Sequence, residues 1–439
     1  MAYQKTANIR SMGEVNGVHF YRIESDKFKT ARTDIFFTDR LSEDTASANA
    51  LVPALLKRGC EKFPTSLMLE RKLEDLYGAS LDYQVYKKGE TQVIHMGVAH
   101  VADRYASGGE ALFKESADLL THILMKPVFK NSLFPADVFS QEKANLLDGI
   151  RSRINDKIRY ASMRCIQEMC KGEEFAIQAE GSEESAAKLD EAFVTEAWRK
   201  IVFHCPAYVY LSGEINDQDA EEWINTFSLI PRDVKIHKNK EEQIDRTRQV
   251  QYITEKMDVN QGKLSMGFRT HVQPTSKDWP ALMVYNGILG GDLHSKLFQN
   301  VREKASLAYY ASSRLERNKE LMFINSGIEA ENREKAETII LEQFEDMKRG
   351  NISDDEFNAT MRSLETAFKA TQDSQQGIVE YCLSQNMLGL DKKIDELANE
   401  VALVSREDVI RVASSVVLDT VYFLEPQLTQ SEEKSEECS

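Results

Sequence analysis

Three stretches of this chain recur, in the same order, farther along it. LERKLEDLYGASLDYQ (69–84) parallels LHSKLFQNVREKASLAYYA (293–311), and FPADVFSQEKANLLDGI (134–150) parallels ISDDEFNATMRSLETAF (352–368). LDEAFVTEAWRKIV, followed by AYVYLSG (189–213), parallels VSREDVIRVASSVVLDTVYFLEP (404–426). The offset is roughly 210 to 225 residues each time, far beyond any solenoid period, so the chain reads as two copies of one domain. Each copy mixes helical and strand patterns. This predicts an α+β fold of two homologous α/β-sandwich domains, each a mostly antiparallel sheet covered by helices.

The length agrees, since 439 residues are too many for one core and natural for two. The expected domains are 1–228 and 229–428, followed by a disordered acidic tail, 429–439 (TQSEEKSEECS). The join falls in the charged stretch Asn216–Lys256, where HKNKEEQIDRTR has the composition of an exposed linker. A net charge of −16 argues against nucleic acid and anionic membrane surfaces as partners. No basic-then-apolar leader opens the sequence and no apolar run reaches about 18 residues, which predicts a cytoplasmic chain without a membrane span. The six cysteines (Cys60, Cys165, Cys170, Cys205, Cys382, Cys438) lack zinc-type or C-x-x-C spacing and read as reduced thiols.

In the first copy, Val18–Ile23 and Ala31–Phe37 read as strands, and Ala79–Tyr86 with Gln92–Ala99 as a hairpin. Helical spacing is found at Asp44–Arg58, Leu67–Leu76, Glu110–Met125, Pro135–Ile154, Ala161–Lys171 and Glu183–Val202, before an apolar strand at Ala207–Gly213. In the second copy the informative stretch is Gly290–Ser313. Leu293, Leu297, Phe298 and Val301 share one face, predicting a helix over Leu293–Lys304. A strand over Ser306–Leu315 follows, and Leu321–Ile328 completes a hairpin. Arg302 near the helix end and Tyr309 early in the strand could bring a guanidinium and a phenol to one junction.

That stretch resembles the C-terminal half of the insulinase/pitrilysin metallopeptidases, the mitochondrial-processing-peptidase-like inverzincins. Their pattern there is similar to G-G-x-x-S-x-L-F-x-x-[LV]-R-E-x-x-[GS]-L-A-Y; with one further residue between the Gly pair and the Ser, it is matched by Gly290, Gly291, Ser295, Leu297, Phe298, Val301, Arg302, Glu303, Leu307, Ala308 and Tyr309. The resemblance runs from about Tyr21 to Pro426. In that family the N-terminal domain carries H-x-x-E-H on a helix. Two His one turn apart and a Glu on a later helix hold zinc, and the intervening Glu activates the bound water.

The matching stretch here is Ala50-Leu-Val-Pro-Ala-Leu-Leu-Lys-Arg-Gly59. Ala50 and Ala54 stand where the family has its two His, and Pro53 stands at the base position. On the later helix Gly149 replaces the third ligand, whereas Glu142 matches an upstream carboxylate. None of the eight His pairs with another at i+3 or i+4, and His95 and His100 are five apart. No zinc site is therefore expected in this chain.

The resemblance implies that Arg302 and Tyr309 meet a peptide across a closed chamber, the phenol steadying the developing oxyanion and the guanidinium fixing carbonyls. It also implies that peptides add to a sheet edge, here Leu81, Asp82, Tyr83 and Gln84, with Asp82 in place of the family's usual Asn. Some members divide the work between a zinc chain and a metal-free chain. By that analogy the chain is expected to be the non-zinc subunit of a heterodimeric peptidase, inactive alone, its partner a homologous chain bearing H-x-x-E-H and zinc. The alternatives are a catalytically inactive peptide- or partner-binding scaffold and an independent zinc peptidase with relocated ligands.

Overall fold

The computed structural model describes residues 7–234 and 249–427. The HKNKEEQIDRTR stretch and the tail 429–439 lie outside the described residues. The chain divides into two compact units. The first comprises Met1–Arg151, Ile177–Glu241 and Gln372–Ser384, and the second Ser152–Ala176, Glu242–Thr371 and Gln385–Ser439.

The first unit is built on a six-stranded sheet of β1 (Asn8–Val15), β2 (Val18–Glu24), β3 (Thr30–Arg40), β4 (Ser80–Lys88), β5 (Thr91–Val101) and β6 (Ala207–Gly213). Its order is β1-β2-β6-β3-β5-β4, with β2 and β6 parallel and the other neighbours antiparallel. Apolar residues alternate along these strands. Ile35 and Phe37 on β3, Ile94, Met96 and Val98 on β5, and Val209 and Leu211 on β6 all enter one core. Helices Ala46–Leu56, Leu112–Met125, Glu191–His204 and Asp217–Ser228 close over that face through Leu51, Leu120, Ile201 and Trp223, removing both apolar stripes from water. The single helix expected over Glu183–Val202 is two, Glu183–Ala187 and Glu191–His204. Asp190 breaks the run because its carboxylate caps the second helix, accepting from the Phe193 N–H at 2.7 Å.

The opposite face of this sheet carries polar side chains. Asp34 is buried there, accepting 2.8 and 3.1 Å hydrogen bonds from Arg32 and lying 2.9 Å from His95 Nε2. The neighbouring Gly97 makes room, since a Cβ at that position would stand 2.3 Å from the carboxylate. A segment from the far end of the chain, Gln375–Ser384, packs on this face. Tyr86 donates to Glu380 at 2.7 Å, Lys88 pairs with Glu380 at 3.1 Å, and Gln375 hydrogen-bonds Thr30.

Burial by itself would raise the Asp34 carboxyl, but the His95 hydrogen bond and the Arg32 guanidinium outweigh it and hold the group below its ordinary value. A carboxyl depressed by folding stabilises above its unfolded pKa, about 3.9, and that stability disappears as pH falls through the lower folded value. Acid titration of Asp34→Asn is therefore expected to show a shallower loss of stability below about pH 4 than the parent. Equal slopes, followed by circular dichroism in urea, would rule the pair out as a contributor.

The second unit repeats the topology. Its sheet comprises β7 (Gln251–Met257), β8 (Gly262–Arg269), β9 (Ala308–Glu316), β10 (Leu321–Ile328) and β11 (Val417–Pro426), ordered β7-β11-β8-β10-β9. Again one neighbouring pair, β11 and β7, is parallel. The match to β2-β6-β3-β5-β4 is element for element, and among the described residues β1 has no counterpart in the second unit. Here too a helix from the other half of the sequence covers a sheet face. Lys157–Met169 packs Ala161, Cys165 and Met169 against Phe323, Tyr422 and Leu424. Its hold is reinforced by a buried ion network. Glu173 meets Arg269 at 3.1 Å and Lys319 at 2.9 Å, while Arg269 also meets Asp419 at 2.8 Å.

Candidate functional site

Helix Ala46–Leu56 carries the positions that the resemblance assigns to metal chemistry. It is apolar on all sides and almost wholly buried, fixed by packing and by a polar bracket at its start. The Asn49 amide donates to Asp39 at 3.0 Å and to Gln92 Oε1 at 2.8 Å, and Gln92 donates to the Ala46 carbonyl at 3.0 Å. Ala50 and Pro53 are buried and Ala54 is half-buried. Pro53 lies inside the helix, where it removes the N–H that would bond the Asn49 carbonyl, a change costing about 3 kcal/mol in an ordinary helix interior. The helix nevertheless continues, with Lys57 N–H donating to the Pro53 carbonyl at 3.1 Å.

Glu142 on helix Ala136–Ser152 is buried and ion-paired with Arg58, and it accepts from Asn145 at 3.2 Å. Gly149, two turns beyond Glu142, is exposed, and a Cβ there would meet nothing within 4 Å. Zinc needs three nitrogen, sulfur or oxygen ligands. Two methyl groups, a pyrrolidine ring and a glycine supply none, so these residues do not fit the ion. Among the described residues no group of three or more His, Cys, Asp or Glu side chains could hold a metal. His95 is occupied by Asp34 and stacks on Phe36 with centroids 4.4 Å apart. His100 is buried, which lowers its pKa, and its Nδ1 bonds the Val101 carbonyl at 2.9 Å.

Leu81, Asp82, Tyr83 and Gln84 lie on β4, an edge strand of the six-stranded sheet. Leu81 points into the core, so only its backbone is available to a ligand. Asp82, Tyr83 and Gln84 are exposed. Asp82 faces Arg32 at 3.7 Å, and the Lys57 ammonium stands over the Tyr83 ring, 5.9 Å from its centroid. Burial of part of the ring, with the nearby Glu142 charge, raises the Tyr83 phenol.

Arg302 and Tyr309 flank the short connection 305–307. The helix before it begins later than its hydrophobic spacing suggests. Leu293 is exposed in a turn in which Ser295 N–H bonds the Asp292 carbonyl at 3.0 Å, whereas Leu297 and Val301 are buried as expected. Phe298–Lys304 then widens into a π-helical turn, a form that recurs at functional sites. The Arg302 guanidinium lies over Phe298, 4.5 Å from its centroid, and 3.6 Å from Glu303. Gly290 lets the preceding turn press on the following strand, since a Cβ there would be 2.6 Å from the Ser313 backbone nitrogen.

Tyr309 sits on β9, the outermost strand of its sheet. The register with β10 passes from Gly327–Tyr310 to Ile328–Ala308, leaving Tyr309 as the extra residue of a β-bulge. Its side chain is 77% exposed. A bulge re-aims one side chain out of the ladder, and neither that bulge nor the Arg58–Glu142 pair leaves a signature in residue spacing.

These features can be set beside known proteins. A profile of the peptidase M16 inactive domain matches residues 206–364. "Probable inactive metalloprotease YmfF" of Bacillus subtilis is 32% identical over 409 residues, 93% of this chain and 96% of that protein. The chain belongs to the M16 peptidase family. A further relative, "Uncharacterized zinc protease YmxG" of Bacillus subtilis, is 25% identical over 215 residues, 47% of this chain and 51% of that protein. A solved structure of a conserved protein from Enterococcus faecalis V583 shares the fold with a TM-score of 0.87 at 26% identity, covering 97% of this M16 chain and all of that one. The two-unit α+β architecture is thus that of the family. Among the described residues no helix is long and apolar enough to cross a membrane.

Proposed function

We propose that this chain is the non-zinc subunit of a two-chain M16 peptidase, supplying Arg302 and Tyr309 in trans to peptides held beside a zinc-bearing homologue. The observation that carries this is Tyr309 itself, a phenol turned outward by a bulge on an edge strand in a chain whose four metal-chemistry positions are Ala50, Pro53, Ala54 and Gly149. A packing residue would be expected to face the sheet's core. The phenol O–H would donate to a peptide carbonyl oxygen as it gains negative charge, and Arg302, already oriented by Phe298, would hold a neighbouring carbonyl. Separately, the open edge of β4 would take an extended peptide through the backbone of Leu81, Asp82, Tyr83 and Gln84.

The partner in this reading is a homologous chain with intact H-x-x-E-H that carries the zinc. The similarity to a relative named as a zinc protease supports such a division. Both chains would be cytoplasmic, with neither nucleic acid nor membrane as partner. A second reading, a peptide- or partner-binding scaffold without chemistry, is favoured by the inactive status in the name of the YmfF relative.

Mixing separates the two. Cleavage of a fluorogenic peptide by this chain together with its zinc-bearing homologue should greatly exceed the sum of the separate chains. Activity equal to that sum would leave only the scaffold.

A further inference from the structure

We infer that Lys57 gives the open edge of β4 a preference for extended peptides that place an acidic side chain opposite Tyr83. This rests on the reading that peptides dock along β4. Lys57 is the C-cap of helix Ala46–Leu56, and its ammonium stands 5.9 Å from the centroid of the Tyr83 ring. Among the described residues no carboxylate pairs with its ammonium. The adjacent Arg58 is committed to Glu142, so two cations stand here against one carboxylate. The Lys57 ammonium therefore remains available beside a strand that, among the described residues, is the edge of its sheet.

A strand added to β4 puts one residue directly opposite Tyr83, with Cβ atoms about 5 Å apart, on the face where Lys57 stands. Tyr83 is 38% exposed, so its ring floors that position while leaving it open to the incoming side chain. A Glu placed there comes within reach of the ammonium, and the ring shields one side of the pair from water, which strengthens it. A Lys placed there meets like charge. On the other face Asp82 already has Arg32 within 3.7 Å and Gln84 is neutral, so selection falls on the Tyr83 side. Lys57 also favours the negative end of its own helix, but that role is indifferent to peptide sequence.

The test is fluorescence anisotropy of the full chain with labelled Thr/Val-rich peptides carrying a central Glu, Gln or Lys. The Glu peptide should bind about fivefold tighter than the Gln peptide, the Lys peptide weakest, with the difference shrinking as salt rises. Lys57→Gln should abolish the discrimination while lowering the melting temperature only slightly, through the lost helix-end charge, and Lys57→Glu should reverse its order. Equal binding of the Glu and Gln peptides to the parent would overturn the role of Lys57 while leaving docking on β4 intact. Failure of all three peptides to bind would overturn docking on β4 itself, and this inference with it.

Discussion

In the mixed enzyme, Tyr309→Phe is expected to lower peptide turnover by about 10²–10³-fold, the usual loss for one oxyanion donor. The effect should appear in kcat with KM little changed. The hydroxyl matters only as charge accumulates on the carbonyl oxygen, so its loss leaves substrate binding alone. Because the side chain projects from a bulge and is 77% exposed, the ring carries little packing, and the melting temperature of this chain should not move. Zinc content of the partner should be unchanged as well. Arg302→Ala is the contrasting case. A guanidinium that positions carbonyls binds ground state and transition state alike, so its loss should raise KM more than it lowers kcat. Normal turnover by Tyr309→Phe would remove the catalytic role and leave the scaffold reading standing.

Glu173→Gln is expected to destabilise the second unit by about 3–5 kcal/mol. The Glu173 and Lys319 side chains are almost completely buried, and Arg269 nearly so. Removing the charge but keeping the shape takes a carboxylate away from two cations that cannot reach water. A surface pair such as Lys348–Glu345 gives the comparison, with disruption costing at most about 1 kcal/mol because solvent already screens it. Glu173 belongs to Ser152–Ala176, the stretch of the first sequence half that lies in the second unit. Hydrogen exchange should therefore show lost protection first in helix Lys157–Met169. A denaturation midpoint within error of the parent's would show that Asp419 alone suffices for Arg269.

Much of the scaffold is legible from local pattern. Strand Ala207–Gly213 has the bounds its apolar run suggests, and β4, β5, β9 and β10 form the two expected hairpins. Alternation and turn residues act over a few positions, so spacing alone reports them. The misreadings have local causes too. Asp190 splits a helical run by capping, and Leu293 falls in a turn although its spacing fits the helix that follows.

Two copies of one α+β unit, residues at the family's metal positions that cannot coordinate an ion, and Arg302 and Tyr309 on a matched motif can all be read from the chain as written. These follow from residue identity and order, since a methyl group has no lone pair wherever it is folded. That Tyr309 turns outward on a bulge, that Arg58 pairs with Glu142, that Lys57 stands over Tyr83, and that each sheet takes a helix from the other half of the chain emerges only on folding. Each of these depends on which side chains meet across long sequence separations. Such meetings are fixed by how the apolar faces pack, and no short-range pattern encodes that.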